Sequence, residues 1–412
     1  MARTSGRVGT GKFRERLGKA TFQDPSSGAE YQVLPVNRGY ILRFARPSGD
    51  VSGERRLEWY LGSGRVGRSY LFSHDGFLYQ SPVSYYSSRR NWAASPGYRQ
   101  KTTIDLTRAV EPACLQCHAS RLQPIAGTQN RFALTPFLDD GVSCERCHGA
   151  GERHVSLMRK GGAKPATESG NINPSKLPAA RRDSVCAQCH LTGAARVARN
   201  AARLRSYRSG DLLTDSVAVF AWSDARISAV TVTSHFEKLM YSTCREKSGD
   251  RLWCLSCHDP HREPEDRVTH YRERCLTCHT SKPCTLSASE RKVANNDCQS
   301  CHMPKADAVD SEHAVYTDHS IPRTRRRNTG EPAGERRLVP FWMTFNDPRD
   351  AALAHAVVAA TEPGVRGLAF DLLQAAARRN PNDMAITAHL AQFYDRTRQS
   401  DRALPVEGFR SY

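Results

Sequence analysis

Cys254-Leu255-Ser256-Cys257-His258 and Cys275-Leu276-Thr277-Cys278-His279 share one stretch of only 26 residues. The same pattern recurs at Cys114/Cys117/His118, Cys144/Cys147/His148, Cys186/Cys189/His190 and Cys298/Cys301/His302. Twelve of the 14 cysteines therefore fall into six pairs of identical spacing, each followed directly by histidine. Histidine makes up 15 of 412 residues, so six out of six is not chance. A zinc ribbon uses paired cysteines but does not require a histidine after every pair. A disulfide framework gives no reason for that histidine either. Two thiols three positions apart add to the two vinyl groups of one haem, and the next residue then lies under the iron as its proximal ligand. The spacing thus predicts six c-type haems, with His118, His148, His190, His258, His279 and His302 as proximal ligands.

The sixth coordination position decides what each iron does. A second side chain there makes an electron carrier, and an open position allows a small molecule to bind and react. Six further histidines lie inside the motif-bearing region: His154, His235, His261, His270, His313 and His319. They are the candidate distal ligands. His154 and His261 follow their motifs closely. His319 and His270 are equally readable as surface or propionate-pairing residues. His74 sits in an expected strand turn, and His355 and His389 sit on helices as structural residues. Met303 is badly placed for ligation, directly after a proximal histidine. Cys244 and Cys284 lack a motif and are read either as a disulfide or as two free thiols.

Composition agrees with a cofactor-organised interior. Apolar residues are 39% and aromatics 8% of a chain long enough for two or three domains. The net charge is +18, and six haems would bring roughly twelve propionate charges against it. Nucleic-acid binding is not expected, because no basic-aromatic module is present. No run of 18 apolar residues predicts a membrane span. Met1–Lys12 has no apolar core of a signal peptide. Because c-type haem is attached outside the cytoplasm, the expectation is a periplasmic or otherwise extracytoplasmic protein whose start is truncated.

The fold class expected is α+β with little regular structure. Residues 1–105 read as a small β-rich region. Tyr31–Leu34 and Tyr40–Phe44 flank a hairpin turn at Pro35–Gly39, and Leu57–Leu61, Tyr70–Phe72 and Phe77–Gln80 are further strands. Residues 106–322 hold all six motifs and read as short helices and loops, which bury too little apolar surface without haem faces. Residues 323–347 read as a basic linker rich in arginine, glycine and proline. Residues 348–412 read as helical, with a 34-residue period. Ala369, Ala376 and Pro381 fit one tetratricopeptide-like unit, and Leu390, Ala391, Tyr394 and Ala403 fit a second, truncated one.

Five segments carry a family resemblance: Gly141–Val155, Asn173–Leu191, Trp253–His261, Cys298–Pro304 and Tyr316–Arg323. Through them the chain resembles the bacterial multihaem cytochromes c of the cytochrome c-552/c-554 type that carry tetratricopeptide repeats. The resemblance covers about residues 1–323 and, more loosely, the C-terminal helices. It implies electron transfer without naming donor or acceptor. Family members carry a signal peptide, a further motif upstream of a segment like Met1–Gly6, and a longer repeat array. The resemblance therefore implies trimming at both ends and a lost seventh haem, which would orphan a histidine such as His74 or His319.

Three functions follow as expectations. The first is a non-catalytic electron carrier with mostly bis-histidine haems, exchanging electrons with redox partner proteins. The second is a multihaem oxidoreductase acting on a small nitrogen or sulfur compound at an open haem. The third is a repeat scaffold that docks partners on residues 348–412.

Overall fold

The structure, a computed structural model, describes residues 4–10, 18–87, 90–98, 102–161, 170–199, 207–224, 230–231, 233–280, 284–308, 315–323, 336–342 and 346–396. His313 and most of the basic linker lie outside the described residues.

The N-terminal region is two antiparallel sheets packed face to face. One holds β2 (Ala20–Gln23), β3 (Glu30–Val36), β4 (Gly39–Ala45) and β5 (Ser52–Leu57). The other holds β1 (Ser5–Arg7), β6 (Trp59–Leu61), β7 (Gly67–His74), β8 (Phe77–Tyr86) and β9 (Asn91–Ala94). The alternation in β3 and β4 turns Tyr31, Val33, Tyr40, Leu42 and Phe44 inward, where they meet Tyr60, Tyr70, Val83 and Trp92 of the second sheet. The expected hairpin forms. Val36 pairs with Gly39 across a two-residue loop in which Arg38 has a positive φ of 60°.

The expected strand Leu57–Leu61 is in fact broken. β5 ends at Leu57 and β6 begins at Trp59, because the chain leaves one sheet and enters the other at Glu58. The Glu58 carboxylate accepts hydrogen bonds from the Ser73 amide (2.9 Å) and hydroxyl (2.6 Å) at that crossing.

A hairpin of β10 (Ser120–Pro124) and β11 (Phe132–Asp139) extends this body through Trp59, Leu71, Leu115, Phe132 and Phe137. Short helices follow: α1 (Pro112–Leu115), α2 (Glu145–His148), α3 (Glu152–Arg159), α4 (Ala179–His190), α5 (His235–Met240), α6 (Thr243–Ser248), α7 (Cys254–Cys257), α8 (Arg267–Leu276), α9 (Ala288–Val293) and α10 (Cys298–His302). Among the described residues of 254–303, none is buried.

The C-terminal helices α11 (Pro348–Val358), α12 (Arg366–Arg379) and α13 (Met384–Arg396) pack on a sheet built from distant pieces. In it β13 (Val217–Trp222) is flanked by β12 (Ala195–Ala198) and β16 (Leu338–Pro340). Ala195, Val197, Ala218 and Phe220 share one core with Leu353, Leu373, Ile386 and Leu390. The expected linker thus contributes a strand, and the helices share a core with strands from the motif-bearing region. A two-stranded sheet of β14 (Lys305–Asp307) and β15 (Val315–Thr317) closes the motif-bearing part.

Candidate haem-attachment site

Each motif folds as one helical turn, and the reason is local. In α2, α7 and α8 the histidine amide donates to the carbonyl of the first cysteine, at 2.9, 2.9 and 3.0 Å for His148, His258 and His279. Residues three apart on such a turn share a face, so both thiols point the same way with the imidazole above them. The third motif ends the 12-residue helix α4, and the sixth forms α10, whose first turn is capped by the Asp297 carboxylate.

All eighteen cysteines and histidines of the six motifs line one continuous cavity of about 3110 Å³. A single ligand pocket spans about 300–1,000 Å³, so this volume suits several large groups. His190 and His258 keep accessible surface and both line this cavity. His235, His261 and His319 line it too, whereas His154 and His270 do not. The His270 Nε2 instead meets the Cys257 carbonyl at 3.1 Å.

The rings are arranged in facing pairs. His148 and His261 lie 5.9 Å apart with planes at 16°, and His258 and His319 lie 6.1 Å apart at 30°. His190 and His235 are 5.6 Å apart at 85°. Rings paired at such spacings are the residues that would hold an iron from two sides. His235 and His319 lie 4.8 Å apart at 74°.

Nδ1 contacts hold several rings so that Nε2 is presented. His148 Nδ1 meets the Ile172 carbonyl at 2.7 Å, His302 Nδ1 the Pro322 carbonyl at 3.0 Å, and His319 Nδ1 the Thr317 carbonyl at 2.9 Å. His258 Nδ1 meets the Tyr271 hydroxyl at 3.2 Å. Such outer contacts fix tautomer and orientation in metal-ligating histidines. The Nδ1 atoms of His118, His154 and His235 are buried without a partner. Burial holds the imidazoles of His118, His190 and His319 below their ordinary value, His258 at about 4 and His235 at about 3. They are therefore neutral near pH 7, the form that binds metal.

Contacts also run between motifs. The Cys117 thiol of the first motif donates to the Gln188 carbonyl of the third at 3.8 Å. Gln188, inside the third motif, donates to the Arg146 carbonyl of the second at 3.1 Å. The first three attachment points are thus tied together. Cys244 and Cys284 both line the cavity and form no disulfide. His74 lies at the exposed end of β7, outside the cavity lining, and His355 Nδ1 meets the Ala351 carbonyl one turn back at 2.8 Å.

The residues present fit covalently held haem: paired thiols and an imidazole on each turn, around a common volume. The sequence missed the residues that hold the turns in place, Gln188, Asp183 and Arg245, because no local pattern marks them.

Comparison with known proteins agrees. The family "Cytochrome c554 and c-prime" matches residues 83–149, and "Doubled CXXCH motif" matches residues 247–283. No curated protein matches. Among solved structures the chain is similar to the outer cell wall cytochrome OcwA, at 14% identity over 64% of this chain and 68% of that one. The TM-score there is 0.40, too weak a likeness to carry a conclusion. The two matched segments carry the first, second, fourth and fifth motifs, and together with the repeated motif itself they support a multihaem c-type cytochrome.

Proposed function

We propose that the chain is a hexahaem electron carrier, with one haem on each motif. The observation that carries this is the single cavity shared by all eighteen motif residues. Haem, when bound, supplies a one-electron iron couple. The chain's own part is to hold the groups close together, exclude water and fill axial positions. His261 is assigned to the second motif opposite His148, His319 to the fourth opposite His258, and His235 to the third opposite His190, on the ring spacings given above. His154, His270 and His313 remain proposals for the other irons. The cytochrome is assigned to an extracytoplasmic compartment, where haem ligation takes place.

Residues 348–396 serve in this reading as tetratricopeptide-like hairpins on which a redox partner docks. A second reading, reaction at an open iron, is favoured by one observation. Among the described residues, no ring contact places a histidine opposite His118, His279 or His302.

Absorption and EPR spectra of the purified holoprotein test the carrier reading. It expects low-spin signals for at least the second, third and fourth haems, unchanged by cyanide or nitrite. High-spin signals dominating the spectrum, with all haems taking up cyanide, would overturn it.

A further inference from the structure

Asp183 and Arg245 form a buried ion pair between two attachment motifs. Asp183 lies on α4, three residues before Cys186, and is 3% exposed. Arg245 lies on α6 and is 8% exposed. Its Nη2 donates to the Asp183 carboxylate at 3.0 Å and to the Asp250 carboxylate at 2.9 Å. Its Nη1 donates to the Leu252 carbonyl, two residues before Cys254. Beside this pair, the Arg182 guanidinium stacks 4.3 Å from the centre of the Trp253 ring and donates to the Asp250 carbonyl at 2.9 Å. Trp253 directly precedes Cys254.

The Asp183–Arg245, Arg182–Asp250 and Arg182–Trp253 contacts tie the helix of the third motif to the segment leading into the fourth, and Arg245 braces that segment through Asp250 and Leu252. A buried ion pair is a poor source of net stability, since desolvation offsets its attraction. What a fan of guanidinium hydrogen bonds supplies well is fixed geometry. Electron tunnelling falls off exponentially with the gap between donor and acceptor edges. The spacing of these two motifs therefore matters more than the stability of either.

We propose that the Asp183–Arg245 pair, with the Arg182–Trp253 stack beside it, is a positioning device that sets the gap between the haems of the third and fourth motifs and so the rate of electron passage between them. This rests on the hexahaem reading above. Neither residue touches a haem in this role; both act through Cys186 and Cys254.

The test uses the full-length holoprotein, wild type and Asp183→Asn, with Asp183→Glu as the conservative rescue. Intact mass counts the haems, and rapid photoreduction follows electron redistribution among them. The expected result is six haems in each protein, loss of the fast redistribution phase in Asp183→Asn, and its recovery in Asp183→Glu. Six haems with an unchanged fast phase in Asp183→Asn would overturn the proposal. If Asp183→Asn does not accumulate, Arg182→Gln decides by the same readouts, because it removes the stack and the 3.4 Å Arg182–Asp183 contact while Arg245 still pairs with Asp183. A wild-type mass short of six haems would instead refute the hexahaem reading, and this proposal with it.

Discussion

The imidazoles of His148 and His261 face each other 5.9 Å apart with their planes 16° from parallel, although 112 residues separate them in the chain. One belongs to the second motif and the other follows the fourth. Replacing His261 by alanine should leave six haems attached and convert one of them from low to high spin. EPR of the oxidised protein checks this, and an unchanged set of low-spin signals would refute the pairing.

The stretch from 254 to 303 has no buried residue among those described, so the hexahaem reading expects its order to come from haems on its three motifs. Cys275→Ser with Cys278→Ser should remove one haem and its local order. Hydrogen exchange should accelerate across α8 and α10 while the β3–β4 pair stays protected, because local stability follows local burial. Uniform protection across both regions would contradict this dependence.

Several parts of this architecture were legible in the chain and others were not. The turn at Asn37-Arg38 and the alternation beside it are local, so the hairpin could be read directly. The six attachment turns are also local, since cysteine, cysteine and histidine lie within five residues. β13 could not be placed. Its Val-Ala-Val-Phe-Ala-Trp run is apolar throughout, and its partners at 195–198 and 338–340 lie in segments without periodicity. Glu58 gave no sign that the chain changes sheets there. The pairing of rings was equally hidden: the six candidate histidines were identifiable, but pairs such as His148 with His261 meet only through long-range folding.

Leu373 on α12 is fully buried in the core shared by the C-terminal helices and β12–β13. Leu373→Ala should cost about 2–5 kcal/mol through lost burial and the cavity left behind. Calorimetry on the holoprotein should show a lowered transition for this unit, and hydrogen exchange should show β13 loosening with the helices. Loosening of α12 alone would argue against a shared core.

Burial, with Arg396 nearby, holds His389 on α13 below the ordinary imidazole value. The unfolded chain then binds the extra proton more readily than the folded one. Stability of the helical unit should therefore fall as pH drops below about 6.5 through the depressed folded value. His389→Gln should flatten that acid-side slope in thermal melts between pH 7 and pH 5. An unaltered slope would place the sensitivity elsewhere.

The most direct measurement is the intact mass of the chain produced alongside a working haem-ligation system. Covalent attachment through all twelve paired thiols predicts a red protein heavier than the polypeptide by six haems. A colourless product with the mass of the bare chain would contradict the account.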